Sequence, residues 1–198
     1  MFRRALALGL AALAVALLPT AALAASVQIR VEGVTRTIFG AAPPRVEAAN
    51  ALEALDKASL GAEFYIHVTQ TSFGPFVDQI GRFPSAGTSG WVYKVNGISP
   101  PVGADAYKLA DGDVVLWYYA TFDASGAGQT TLDLRRDGGN CYRVFRQDDK
   151  GARTAAAGAT LAVDGRRVVA RGGRACVGTH RGLVRATLAG TVRSNAVQ

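Results

Sequence analysis

The side chains able to do covalent or acid–base chemistry are few and scattered. His67 and His180 are the only histidines among 198 residues. They stand in segments of different character, so no paired imidazole and no histidine-based metal motif is expected. Neither a Gly-x-Ser-x-Gly elbow nor a phosphate-binding glycine loop occurs. Asp148-Asp149 runs into Lys150-Gly151, which reads as an ordinary charged turn. Asp105, Asp111 and Asp113 lie close together, but their spacing does not follow a calcium-binding loop. The chain is therefore expected to be no enzyme and to hold neither cofactor nor metal. Cys141 and Cys176 are the two cysteines, both late in the sequence. In an oxidising compartment such a pair is expected to form a disulfide.

What the sequence offers instead is contact surface. Phe73-Gly74 sits between Ser72 and Pro75 in a turn, where a large apolar side chain has no core to enter. Trp91, Val92 and Tyr93 follow in a strand-like run in which Trp91, Tyr93 and Val95 share a face. That face suits a core as well as a ligand. Phe73, Gly74, Trp91, Val92 and Tyr93 form the candidate ligand-binding set.

These residues need elements to position them. Val27–Glu32 alternates apolar and polar residues, the period of a half-buried strand. Pro43-Pro44 precedes a predicted helix from Val46 to Leu60, with Val46, Ala49, Leu52, Leu55 and Ala58 as its apolar stripe and Gly61 as its stop. Phe64–Val68, the run into Ile80 and Gly90–Gly97 read as strands, the last entering an Asn96-Gly97 turn. Val114–Tyr119 is apolar enough for a central strand. One helix across a small sheet makes residues 26–123 an α+β domain. Ala124–Thr130 is a flexible linker. Short alternating runs over residues 131–198, with a hairpin signal at Asp164-Gly165, read as a small all-β sandwich.

Charge divides the chain at the same place. Residues 26–126 hold 7 Lys and Arg against 10 Asp and Glu, a balance of −3, and residues 127–198 hold 13 against 5, a balance of +8. Residues 1–25 read as a secretory signal peptide: Arg3-Arg4, the apolar run Ala5–Leu18, then Ala22-Leu23-Ala24. An extracytoplasmic location (secreted, periplasmic or cell-wall associated) is expected, with no membrane span after signal cleavage. Export excludes nucleic acid as the expected partner of the basic half. Solvated strand faces or an anionic envelope surface remain for it.

Three segments carry a resemblance: Ser72–Val77, Gly90–Gly97 and Gly103–Asp113, continued by Val114–Tyr119 and supported by Leu52–Leu55. Over residues 26–122 the chain resembles the C-terminal domain of the vitamin B12 carriers transcobalamin and intrinsic factor, and the bacterial domains grouped with it. The resemblance implies a β-grasp-like sheet crossed by one helix. It also implies a corrinoid, cobalamin in the animal carriers, approached by the segment around Phe73 and the strand around Trp91. This chain has no counterpart of the carriers' helical domain, which holds the rest of the ligand. Residues 131–198 resemble, more loosely, small immunoglobulin-like domains. The expected function is a binding module for a corrinoid or another flat organic ligand. The alternative is an envelope interaction module that docks a protein partner.

Overall fold

The computed structural model describes residues 24–198. All but the last two residues of the expected signal peptide lie outside the described residues. The first half contains β1 (Ala25–Glu32), β2 (Thr37–Phe39), β3 (Arg45–Ala48), α1 (Ala51–Ala62), β4 (Ile66–Thr71), β5 (Gly74–Ile80), β6 (Phe83–Pro84), β7 (Ser89–Val95) and β8 (Val114–Thr121). The second half contains β9 (Thr131–Arg136), β10 (Cys141–Gln147), β11 (Arg153–Ala155), β12 (Thr160–Val163), β13 (Arg166–Val169), β14 (Arg174–Cys176), β15 (Val184–Thr187) and β16 (Ala196–Val197). The chain is β-rich, with α1 the one helix among the described residues.

β8 is central, as its apolar run predicts: β1 pairs it in parallel on one side and β7 antiparallel on the other. β2 and β3 both pair with β1, and β4, β5 and β6 form a separate small sheet. Val27, Ile29 and Val31 of β1 point to one face, where they meet Leu55 and Ala58 of α1, Val115 and Trp117 of β8, and Trp91 and Tyr93 of β7 in a single core.

The helix departs from expectation at both ends. Val46 is a strand residue paired with Val27, because Pro43-Pro44 hold the chain extended and the next four residues complete the β1 edge. The helix starts at Asn50, whose Oδ1 accepts from the Glu53 N–H at 2.8 Å, while the Glu53 carboxylate accepts from Ala49 N–H at 2.8 Å. Such a cap contributes about 1 kcal/mol. Ala51, Ala54, Leu55 and Ala58 form the buried stripe. Gly61 does not stop the helix; Glu63 does, in the left-handed region at φ 54°.

In the second half, β9, β10, β11 and β14 form one sheet and β12, β13, β15 and β16 another, enclosing a core of Leu132, Leu134, Tyr142, Val144, Leu161 and Val184. Cys141 and Cys176 stand opposite each other on β10 and β14 and are joined by a disulfide. The Asp164-Gly165 turn closes the β12–β13 hairpin.

Arg30 and Glu32 of β1 and Lys94 of β7 face the second half and not solvent. Glu32 is 0 % exposed. Its carboxylate accepts from Arg30 (2.8 Å), Thr37, Arg185 (3.3 Å) and Arg193 (2.9 Å). Lys94 is also fully buried, its Nζ donating to the Asp148 carbonyl at 2.8 Å and facing the Asp149 carboxylate at 3.2 Å. Burial pushes the Lys94 pKa down, and Asp149 partly offsets it. Gly97, at φ +83°, lets the turn after β7 lie against the Gln147 side chain, which any Cβ there would strike.

Candidate functional site

A cleft of about 320 Å³ runs beside β7. Trp91, Val92 and Tyr93, three consecutive residues, all line it, so it follows the edge of the strand and does not lie under one face. Pro75, Phe76 and Val77 of β5 form one wall, and the loop from Ser99 to Ala104 another. Phe122, Gly128 and Asp149 close it from the side of the second half.

The edge itself is open. Asn96 N–H donates to Val114 O at 2.9 Å and Phe122 N–H to Thr88 O at 2.8 Å, so even-numbered residues of this strand turn their main chain toward β8. Odd-numbered residues turn theirs away. Ser89 pairs with Ala86 and Val95 with Ile98, which blocks both ends. Between them the N–H and C=O groups of Trp91 and Tyr93 have no main-chain partner among the described residues. An apolar cleft with a short row of free amide groups along one side can hold a flat or extended molecule that carries amides of its own.

The candidate residues separate into two groups. Trp91, Val92 and Tyr93 line the cleft. Phe73 and Gly74 lie at the tip of the β4–β5 hairpin, outside the cleft lining, with Phe73 98 % exposed. Gly74 takes φ +105° there. Trp91 is only 3 % exposed, packs edge-on against Tyr119, and donates its Nε1–H to Phe83 O at 2.8 Å. Its side chain is therefore a core element, and its main chain is what the cleft meets. Tyr93 stacks on Trp117 and donates its hydroxyl to Val102 O at 2.8 Å, which fixes the Ser99–Ala104 loop.

Phe76, Phe122 and Asp149 are among the lining residues that escaped the sequence reading. Phe76, 46 % exposed, lay within a segment already singled out and carried a legible signal as a second apolar residue beside a turn. Phe122 and Asp149 carried none: Phe122 is placed by the β7–β8 ladder just past the end of β8, and Asp149 by how the halves dock. Asp149, read as part of an ordinary turn, instead accepts from Ser99 Oγ at 3.0 Å and faces Lys94.

Burial, with smaller contributions from Tyr107 and Asp105, raises the Tyr93 pKa to about 12. Tyr118 is shifted upward as well, chiefly by burial. A phenol whose folded pKa lies above its unfolded value of about 10 contributes stability that is intact below pH 10. That contribution fades as pH rises toward 12. Alkaline titration followed by tyrosinate absorbance should thus show Tyr93 and Tyr118 silent through pH 11, ionising only as stability falls. Ionisation of all six tyrosines near pH 10 in the folded state would contradict the packing described.

Residues 48–121, from the end of β3 to the end of β8, match the family model described as a domain of unknown function (DUF4430). The match spans α1, the β4–β5 hairpin and β7, and stops before the second half. No curated protein matches the chain. Among solved structures, the crystal structure of a “putative metal binding protein” from Ruminococcus gnavus ATCC 29149 is similar at 15% identity and a TM-score of 0.40, covering 50% of this chain and 99% of that one. Among the described residues no group of three or more His, Cys, Asp or Glu is placed to hold a metal ion, and no helix is long and apolar enough to cross a membrane.

Proposed function

We propose that this chain is an exported, non-enzymatic binding module whose ligand seats in the cleft along β7. The observation that carries the reading is the pairing of apolar walls with the free main-chain groups of Trp91 and Tyr93. The ligand class is a flat organic molecule edged with amides, for which a corrinoid is the first candidate given the resemblance of residues 26–122. In this reading that segment is a β-grasp-like domain with α1 across its sheet. Residues 131–198 are an immunoglobulin-like sandwich, residues 124–130 join the two, and residues 1–25 direct export.

Size limits how the ligand binds. About 320 Å³ lies at the lower end of small-molecule pockets. A corrinoid therefore seats one edge and leaves the rest overhanging toward the β4–β5 hairpin. Association must also overcome roughly 4–15 kcal/mol of lost freedom, so this chain alone binds weakly and gains affinity from a second protein.

Calorimetric titration with hydroxocobalamin and cobinamide tests this. Saturable binding is expected, weakened about tenfold by Phe76→Ala. Trp91→Ala is a poor probe, since truncating a buried Trp costs about 3–5 kcal/mol of stability. Phe73→Ala should change stability by less than about 0.5 kcal/mol, and so reports on binding alone. No heat with either corrinoid at millimolar concentration sinks the corrinoid reading. The open edge favours one second reading, in which an extended segment of an envelope protein adds to β7 as a strand. Under that reading the corrinoids give no heat, and a bound peptide protects the Trp91 and Tyr93 amides from hydrogen exchange.

A further inference from the structure

We propose that a second cleft, between the two halves, binds the phosphate group of a small molecule. It has a volume of about 580 Å³ and shares no lining residue with the cleft along β7. Its charged lining is Arg30 on one wall and Asp133, Arg135 and Arg153 on the other.

Arg30 is 6 % exposed. Its Nη1 is held by Glu32 Oε1 at 2.8 Å and by the Arg193 carbonyl at 3.0 Å, while its Nε and Nη2 have no partner among the described residues. Arg30 lines the cleft, so these remaining donors are open to an acceptor that enters it. Across the cleft, the Nε atoms of Arg135 and Arg153 both meet Asp133 Oδ2, at 2.8 and 2.9 Å. One carboxylate thus orients two guanidiniums and balances the charge of one, leaving their Nη donors free. Glu32, behind Arg30, is already shared with Arg185 and Arg193. The walls therefore hold surplus positive charge that no carboxylate in the cleft balances.

The arrangement selects among anions. A carboxylate offers one negative charge and acceptor sites in a single plane. Forks arriving from opposite walls need acceptors pointing in several directions and more than one negative charge, which a tetrahedral phosphate dianion supplies. The volume exceeds one phosphate, and Asn96 and Leu116 in the lining leave a polar and an apolar contact for the organic remainder.

The test is calorimetric titration of the whole protein with inorganic phosphate, and with acetate as the planar comparison. The expected result is saturable phosphate binding that persists at about 150 mM salt, where attraction to exposed charges alone is largely screened. Acetate should bind at least about tenfold more weakly. Arg135→Gln and Arg153→Gln alter partly exposed side chains and should leave the fold intact; each should weaken phosphate about tenfold. Arg30→Lys, which keeps the charge and loses the fork, should weaken it as well, with circular dichroism confirming the fold. Absence of saturable heat at about 20 mM phosphate and low salt, where screening is weakest, overturns the proposal. So does equal affinity for acetate, or phosphate binding unchanged in the Arg135→Gln, Arg153→Gln double variant.

Discussion

Glu32→Gln should lower the stability of the protein by about 3–5 kcal/mol, the usual consequence of removing one partner from a buried ion pair. The wild-type carboxylate is fully buried and is the shared acceptor for Arg30, Arg185 and Arg193. A neutral amide of the same size leaves three cations facing one another, with Arg30 only 6 % exposed. It also replaces one acceptor oxygen by a donor, opposite groups that are donors themselves. For a chain of this length the loss corresponds to a fall in Tm on the order of 10 °C. Because Arg185 and Arg193 come from the second half, the variant should also loosen the contact between the halves. Denaturant unfolding of wild type and variant, followed by tryptophan fluorescence, measures the effect. A change under about 1 kcal/mol would mean that the three arginines find equivalent partners without Glu32.

The second large effect concerns Cys141 and Cys176. Their bond closes a loop with a sequence separation of 35 residues. In the chain-entropy account a loop of that size contributes about 3–4 kcal/mol, by restricting the unfolded chain. The strands it joins, β10 and β14, pair only over Cys141–Arg143 and Arg174–Cys176, so few hydrogen bonds would replace it. The double variant Cys141→Ala, Cys176→Ala should therefore unfold at a Tm lower by roughly 10 °C. Loss should centre on the second half, seen as earlier exchange of amides in β10 and β14. If the variant matched wild type, the core around Tyr142 and Leu161 would be holding the loop unaided.

Much of the framework was legible because local signals and tertiary needs agree there. The central place of β8, the hairpin at Asp164-Gly165 and the disulfide follow from an apolar run, a turn dipeptide and a cysteine pair. The helix start was misplaced because Val46 satisfies a helical stripe and a strand edge equally well, and only pairing with Val27 decides between them. The reading of Val27–Glu32 as a half-buried strand left Arg30 and Glu32 on an open face for a related reason. Alternation along a strand assigns polar residues to water, but it does not reveal that a second sheet pair will cover that face. The candidate site divided along the same line. Trp91, Val92 and Tyr93 could be found from their own strand. Asp149 belongs to the cleft only once the halves meet, and the open edge of β7 is a property of which strand fails to arrive, which no residue in it encodes.

The parallel pairing of β1 with β8 also governs when the first half can form. Gln28 to Glu32 hydrogen-bond alongside Val114 to Tyr118, so the sheet's centre joins the beginning of that half to its end. Closing so wide a loop before any of its contacts are made is slow, and it raises the contact order of the whole. At ~5–20 residues per second of synthesis, β1 waits on the order of ten seconds for its neighbour. During that interval α1 and the β4–β5 hairpin lack the β1–β8–β7 sheet against which they pack. A nascent chain built this way stays threadable until its first hundred or so residues are complete, and then closes in one step.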